Sequence, residues 1–160
     1  MLVDNGIDTV DAGQQGSGSK GDAPSRASER RKSAAYAAVP RRILVVDDNV
    51  DLTQTLKMLL EALGHEVYSA YEGRSALELA RRFLPDVVIL DIGLPGMNGL
   101  DVARQLRIEF PRRELLLIAL TGYGRAQDCR RSRQVGFDHH LVKPLDFGRL
   151  QSVLASGTPD

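Results

Sequence analysis

The fold of this chain is decided by one stretch, Val87-Val88-Ile89-Leu90-Asp91-Ile92-Gly93-Leu94-Pro95-Gly96-Met97-Asn98-Gly99. Its apolar run, rich in β-branched residues, ends at the carboxylate of Asp91, and a turn rich in glycine, proline and asparagine follows. A short apolar run bounded by turn residues is typical of a strand buried on both faces of a parallel sheet. Ligands bind at the carboxyl ends of the strands in open α/β sheets. We therefore predict that Asp91 carries the function.

The composition limits the class of protein. The chain has 160 residues, of which 42% are hydrophobic and 26% are charged, and this predicts one ordinary soluble domain. The formal net charge of zero gives no support for nucleic acid or an anionic membrane as a partner. No apolar run approaches the ~20 residues that span a bilayer, and the N-terminus lacks the layout of a secretory signal. The single cysteine, Cys129, cannot form an internal disulfide, so we expect a soluble, cytoplasmic protein without direct nucleic-acid or membrane contact.

The composition also divides the chain. Residues 1–40 are predicted to be a disordered tail or linker, because large apolar residues are few and Gly13–Gly21 has a flexible-linker composition. The basic run Arg30-Arg31-Lys32 is interpreted as part of this solvated tail, with a docking site as the alternative. From residue 41 the pattern changes, and we place a single domain at residues 41–156 and a short C-terminal tail at residues 157–160.

Apolar runs alternate with helical spacing of leucine, alanine and phenylalanine throughout the domain. This alternation implies βαβ units and a parallel sheet covered on both faces. Right-handed crossovers then favour a flavodoxin-like, doubly wound α/β sheet of order 2-1-3-4-5 with five helices. The fourth helix, about Arg125 to Gln134, is only weakly amphipathic, with Ala126 and Cys129 as its expected inner contacts. The predicted strands are residues 43–46, 66–70, 87–91, 115–120 and 137–142.

Four of the five predicted strands end in polar or charged side chains: Asp47-Asp48, Asp91, Thr121 and Lys143. The carboxyl ends of parallel strands meet at one edge of the sheet, so these groups are expected to lie close together. Three carboxylates gathered there repel one another strongly unless a cation is present. A hard divalent ion satisfies them, and Mg²⁺ prefers oxygen ligands while keeping several waters. The sequence therefore predicts a magnesium site at this edge.

The same groups suit phosphoryl transfer. The metal would neutralise charge around Asp91, Lys143 would hold phosphate oxygens, and Thr121 would donate a hydroxyl hydrogen bond. Taken singly, each group has a structural alternative: Asp47-Asp48 as a helix N-cap, Thr121 as a turn or cap residue, and Lys143-Pro144 as a solvated loop. Their joint occurrence at four strand ends favours the site.

The chain from about Arg41 to about Ser156 resembles the receiver domain of two-component response regulators. The matching pieces, in order along the chain, are Val45-Val46-Asp47-Asp48-Asn49, Asp91 with Pro95 and Gly99, Ala119-Leu120-Thr121-Gly122, and Leu141-Val142-Lys143-Pro144.

This resemblance implies a role for each matching position. Asp91 is expected to accept a phosphoryl group from a histidine kinase or a histidine phosphotransfer protein. Thr121 would bond a phosphoryl oxygen, Lys143 would pair with the phosphoryl group, and the peptide bond to Pro144 is expected to be cis. The implied Mg²⁺ ligands are Asp47, Asp48, Asp91 and the backbone carbonyl of Gly93.

One position departs from the family pattern. Three residues before the lysine, relatives usually have tyrosine or phenylalanine, which turns inward when Thr121 moves toward the phosphate; this chain has His140. Imidazole is smaller and titrates near neutral pH, so either the switch is pH-sensitive or His140 is a packed residue, and packing is favoured. His139 and His140 point to opposite faces of the strand, so they are not expected to chelate a metal together.

The resemblance also implies roles for the surroundings of the site. Gly93 would leave the phosphate open to water, Tyr123 would shield it, and Gly122 leaves the approach to Asp91 clear for a partner's histidine. Helix 4, strand 5 and helix 5 would form the surface that meets a downstream partner. The arginines of helix 4 are interpreted as a solvated face, with a docking patch for an acidic partner as the alternative: Arg125, Arg130, Arg131 and Arg133.

Three other functions compete with this phosphoacceptor signalling domain, which is not an enzyme in its own right. A phosphatase-type hydrolase with an aspartyl nucleophile generally needs a second acid two residues further on, where this chain has Gly93. A nucleotide-binding domain is ranked last, because no G-x-G-x-x-G follows the first strand and no G-x-x-x-x-G-K-[ST] occurs. A docking receiver that is never phosphorylated is disfavoured by the intact acidic residues. The chain is expected to be a stand-alone regulator, a relay intermediate or the receiver of a hybrid sensor kinase.

Overall fold

The computed structural model of the protein describes residues 39–111, 115–122 and 126–157, and for residues 126–128 it describes the backbone only. The predicted N-terminal tail up to residue 38, the C-terminal residues 158–160, and the positions of Tyr123 and Arg125 lie outside these residues. None of the described helices combines the length and the apolar character needed to cross a bilayer.

The described strands form one five-stranded sheet in the order β2-β1-β3-β4-β5, and every neighbouring pair is parallel. This confirms the predicted flavodoxin-like topology with a helix after each strand. The strands are β1 (Arg42–Val46), β2 (Glu66–Ala70), β3 (Val87–Asp91), β4 (Leu116–Gly122) and β5 (His139–Lys143). The helices are α1 (Val50–Ala62), α2 (Gly73–Phe83), α3 (Gly99–Glu109), α4 (Ala126–Val135) and α5 (Phe147–Ser156).

The strand boundaries differ from the prediction by one or two residues in β1, β4 and β5, and the largest differences are at the end of β4 and the start of β5. β4 runs to Gly122, two residues beyond its predicted end, because Thr121 and Gly122 pair with Val142 and Lys143 of β5. β5 begins at His139, two residues later than predicted. The polar ends of both strands therefore belong to the sheet itself, and the sheet fixes the backbone of the residues that follow the apolar runs.

Both faces of the sheet are covered by helices. β3 lies at the centre and buries all five of its residues, which explains its continuously apolar sequence. One face packs against α1 and α5 through Ile43, Val45, Leu56, Leu60, Ile89, Ile118, Leu150 and Leu154. The other face packs mainly against α2 and α3 through Val46, Ala76, Ala80, Leu90, Val102, Ala103, Leu106 and Ala119.

The inner face of α4 differs from the prediction. Cys129 is only half-buried, whereas Ser132 is fully buried and Val135 packs against the core. The side chain of Ala126 lies outside the described part of the chain. Ser132 tolerates burial because its hydroxyl donates to the carbonyl oxygen of Cys129 at 3.1 Å. A buried serine interrupts the apolar period, and this is why the sequence of α4 looks weakly amphipathic.

A buried ion pair that the sequence did not reveal ties α3 to the loop before β5. Nη2 of Arg107 lies 2.5 Å from Oδ2 of Asp138, and the two side chains are only 11% and 1% exposed. The same guanidinium donates to the carbonyl oxygens of Gly136 and Leu115, at 2.8 Å and 2.7 Å. Asp138 in turn accepts a hydrogen bond from the backbone N–H of Leu117 at 2.8 Å. One charged network therefore fixes the starts of β4 and β5 relative to α3.

We expect Arg107→Ala to lower the free energy of unfolding by about 3–5 kcal/mol, because it leaves the Asp138 carboxylate buried without its cation. The matched control is Arg104→Ala on the same helix. Arg104 pairs with Asp101 on the surface, where both side chains are more than half exposed, and its loss should cost less than about 1 kcal/mol. Urea denaturation of the two variants measures the difference. Equal losses in the two variants would contradict the role assigned to the buried network.

Candidate functional site

The polar groups predicted to share one edge of the sheet do so. Asp91 is the last residue of β3 and pairs in register with Leu120 of β4, so Thr121 lies one step beyond it on the neighbouring strand. Gly122 then pairs with Lys143 at the end of β5. Asp47 follows the last residue of β1 directly. The four strand ends that carry these groups therefore meet at the carboxyl edge.

Asn49, rather than either aspartate, caps α1. Its side-chain oxygen accepts the N–H of Leu52 at 3.1 Å. Asp47 is fully buried and accepts the backbone N–H of Asn49 on Oδ1 at 2.9 Å. The alternative that Asp47 and Asp48 are merely a helix cap is therefore wrong. The signal was present in the sequence, because asparagine is among the most favoured N-cap residues and stands three positions before the first leucine of the helix.

Asp91 is held by the turn that follows it. Its side chain is buried, and Oδ1 accepts the backbone N–H of Gly93 at 2.9 Å. Gly99 begins α3 directly against this strand end, where a Cβ atom would lie 2.3 Å from the carbonyl oxygen of Asp91 and 2.7 Å from Cα of Ile92. Any larger residue would push α3 away from the site. The spacing between Asp91 and Gly99 thus has a steric cause.

Lys143 joins three of the strand ends. Its Nζ lies 2.6 Å from Oδ2 of Asp47 and donates a hydrogen bond to Oδ2 of Asp91 at 3.1 Å. Burial by itself lowers the pKa of Lys143, but the contacts with the two carboxylates and their negative charges outweigh burial and hold that pKa above the usual lysine value. The ammonium group therefore stays charged and balances the two buried carboxylates. The Lys143–Pro144 peptide bond is cis, as expected.

The acidic cluster has more negative charge than the lysine neutralises. Asp47, Asp48 and Asp91 each offer one oxygen, and these oxygens lie within 4.8 Å of one another. Asp48 is exposed, so the cluster opens to solvent on one side. Opposite ligands of an octahedral Mg²⁺ lie about 4.2 Å apart, twice the bond length of ~2.1 Å. The limit of 4.8 Å exceeds this span by a few tenths of an ångström, so a short movement of the side chains would bring the three carboxylate oxygens around a hard divalent cation, with the open side left for waters.

Thr121 has an unmet hydrogen-bonding need. The residue is 4% exposed, and its Oγ1 atom is buried without a hydrogen-bond partner among the described residues. Buried hydroxyl groups in folded proteins are nearly always paired, so this group is suited to a ligand oxygen that arrives from outside. The neighbouring Gly122 is exposed, and a Cβ atom there would meet nothing within 4 Å. The entrance beside Thr121 is therefore open at this position. Tyr123 lies outside the described residues.

His140 lies on the α4 side of β5. Its ring is half-buried, its Nε2 atom is hydrogen-bonded to Oγ of the buried Ser132, and its ring is tilted against that of Phe137 at 6.0 Å. Burial lowers the pKa of His140, and the positive charge of Arg133 and the neighbouring His139 lower it further. The imidazole is therefore neutral at neutral pH. Sequence reasoning missed Ser132 as its partner, because the two residues lie on different elements.

His139 is the first residue of β5. It is buried, and a small cavity of about 280 Å³ beside α5 is lined by His139, His140, Arg149 and Ser152. Neighbouring residues of a strand point to opposite faces of the sheet, so the expectation that the two rings do not share a metal ion stays a prediction.

Comparison with known proteins supports the same architecture. Residues 43–155 match the family model described as the response regulator receiver domain. The chain is 32% identical over 118 residues to the polar-differentiation response regulator DivK of Brucella anthropi, covering 74% of this chain and 96% of that protein.

Two solved structures show the likeness in three dimensions. The chemotaxis response regulator CheY4 of Vibrio cholerae has 28% identity and a TM-score of 0.69, covering 75% of this chain and 100% of that one. A response regulator receiver domain protein from Clostridium thermocellum has 30% identity and a TM-score of 0.67, covering 72% of this chain and 92% of that one.

We expect Lys143→Met to lower the free energy of unfolding by about 1–3 kcal/mol, because two buried carboxylates lose their shared cation. Millimolar Mg²⁺ should recover part of this loss by binding the same carboxylates. Lys57→Met is the matched control, since Lys57 pairs with Glu61 on the surface of α1. Urea denaturation with and without Mg²⁺ makes the comparison. A loss as small as that of Lys57→Met would contradict the bridging role of Lys143.

Proposed function

Because the chain belongs to the response regulator receiver family, we propose that Asp91 accepts a phosphoryl group in a Mg²⁺-dependent step, from a histidine kinase or a histidine phosphotransfer protein. The observation that carries this proposal is the buried Thr121 hydroxyl without a partner among the described residues. It lies one register step from Asp91, whose carboxylate already contacts Lys143. A phosphoryl group on Asp91 would supply the acceptor oxygens that this hydroxyl and this ammonium group need.

Asp91 acts as the nucleophile in this proposal. Its Oδ1 is held by the N–H of Gly93, whereas its Oδ2 faces Lys143, so Oδ2 is the oxygen that attacks phosphorus. The bond between phosphorus and the donor's imidazole nitrogen breaks as the new oxygen–phosphorus bond forms, and its electron pair stays on the imidazole. The open position of Gly122 leaves room for the donor's ring to approach in line.

The remaining site residues would hold the transferred group. The Lys143 ammonium pairs with phosphoryl oxygens, and the Thr121 hydroxyl donates to another of them. Asp47, Asp48, Asp91 and the backbone carbonyl of Gly93 would hold Mg²⁺, which supplies neutralisation of the charge that builds up during transfer. Gly93 and Tyr123 would control access of water to the product. Pro144 would fix the backbone after the lysine.

Phosphorylation would act on the rest of the domain through β4 and β5. Moving Thr121 toward the phosphate draws the end of β4 inward and frees space beside His140, which contacts Ser132 of α4. The surface formed by α4, β5 and α5 would then change for a downstream protein target. A stand-alone regulator, a relay intermediate and the receiver of a hybrid sensor kinase would all use this surface. The single cysteine suits the reducing cytoplasm, where we place the protein.

Incubation with excess acetyl phosphate and Mg²⁺, followed by intact-mass measurement, tests the proposal. Wild type is expected to gain one phosphoryl group, and the gain should disappear in Asp91→Asn and in wild type treated with a chelator. Asp101→Asn is the matched control, because Asp101 is an exposed carboxylate on α3. It should be phosphorylated like wild type. A gain that survives in Asp91→Asn would contradict the assignment of the acceptor. No gain from acetyl phosphate or from a phosphorylated phosphotransfer protein would leave a docking receiver as the better account.

A further inference from the structure

A group of exposed arginines lies on α4. Arg130, Arg131 and Arg133 are all exposed. Within the described ranges, none of the three lies within ion-pair distance of a carboxylate. The whole chain nevertheless has a formal net charge of zero. The chain therefore contains as many acidic as basic residues, and an acidic segment outside the described residues is a candidate counter-charge for these arginines. We call these three residues the α4 arginine patch.

The patch borders a groove between α3 and α4. The groove has a volume of about 470 Å³; Arg104 and its ion-pair partner Asp101 line it from α3, and Arg131 lines it from α4. Leu100 and Val135 also line it, and both are partly buried hydrophobic residues that pack on the core. We call this the α3–α4 groove. An occupant that combines apolar side chains with carboxylates would match its lining, because the apolar residues would cover Leu100 and Val135 while the carboxylates meet the arginines.

The first eleven residues of the chain have this combination. They include Asp4, Asp8 and Asp11 and contain no lysine or arginine, whereas the rest of the predicted tail includes Lys20, Arg26, Arg30, Arg31 and Lys32. Val3, Ile7 and Val10 recur at intervals of four and three, and each aspartate directly follows one of them. This spacing is that of a helix with one apolar stripe and one acidic stripe beside it. A segment of this length is too short to hold a helix alone in water, so it needs a surface to pack on.

The intervening sequence is long enough to let the segment reach the groove. Residues 12–38 separate it from the described domain and include the Gly/Ser-rich stretch Gly13–Gly21. A linker of this composition spans about 29 Å on average, from ~5.5 Å multiplied by the square root of 27 residues. A domain of about 115 residues is roughly 35 Å across, by the scaling of its radius of gyration. The effective concentration of the tethered segment is then on the order of millimolar, so a weak intrinsic affinity suffices.

We propose that residues 1–11 dock onto the α4 arginine patch of the same chain, with Val3, Ile7 and Val10 in the α3–α4 groove and their aspartates on the arginines. The docking itself does not depend on phosphorylation of Asp91. It covers part of the surface that the proposed function assigns to a downstream partner, so the segment would compete with that partner for α4.

Paramagnetic relaxation enhancement in the full chain tests the docking. A nitroxide label is attached to Thr9→Cys in a Cys129→Ser background, and amide signals are compared before and after reduction of the label. We expect the amides of residues 130–135 and 100–104 to weaken at least two-fold. The effect should disappear at 0.5 M NaCl, where charges separated by more than about 5 Å are screened. Dilution should leave it unchanged, because the contact is intramolecular.

A charge swap identifies the contact. Arg131→Glu with Arg133→Glu should abolish the weakening, and adding Asp4→Arg with Asp8→Arg should restore it. Arg74→Glu with Arg149→Glu changes the net charge equally on exposed positions of α2 and α5 and should leave the weakening intact. Failure of the swap to restore the contact would overturn the proposal. Weakening centred on another surface, or no weakening at all, would also overturn it. Weakening of an unlabelled copy by a labelled copy in a mixed sample would show binding between chains and would overturn it as well.

Discussion

The contact of one ammonium group with two buried carboxylates organises this domain. A parallel sheet brings the ends of β1, β3 and β5 to one edge, and the residues there are Asp47, Asp91 and Lys143. Two carboxylates in the interior would repel each other and resist burial. Lys143 Nζ lies within 3.1 Å of both and removes that cost. The tight turns after β1 and β3 hold these groups in place. Asn49 caps α1 after the first turn, and Gly99 lets α3 begin directly against β3.

The site nevertheless has an excess of negative charge and an unpartnered hydroxyl group among the described residues. One lysine charge faces three carboxylates, and the Thr121 hydroxyl is buried without a partner among those residues. Folded proteins usually remove such features, and where they persist they tend to mark function. A divalent cation would balance the negative charge, and a phosphoryl group would accept the hydrogen bond of the hydroxyl. The proposed binding of Mg²⁺ and of a phosphoryl group therefore both rest on groups that lack partners among the described residues of the site. The hydrogen bond between His140 and Ser132 connects β5 with α4.

Local patterns in the sequence predict most of the fold and the candidate site. The buried run before Asp91 and the polar residues at the other strand ends need only the periodicity of strands and the geometry of a parallel sheet. Three features depend on contacts between distant residues and were missed. Arg107 meets Asp138 across thirty-one positions, Ser132 meets His140 across two elements, and the buried serine hides the inner face of α4. The N-cap at Asn49 could be predicted from its residue type, but the two aspartates before it are equally favoured cap residues.

We propose that the edge of the sheet receives a phosphoryl group on Asp91. A crystal structure of the full chain with Mg²⁺ and beryllofluoride, a mimic of the acyl phosphate, tests it most directly. We expect a fluoroberyllate group on Asp91, with the Thr121 hydroxyl and the Lys143 ammonium each within hydrogen-bond distance of a fluorine. Beryllofluoride elsewhere, or bound to Asp91 while the Thr121 hydroxyl keeps its unpartnered position, would contradict the account.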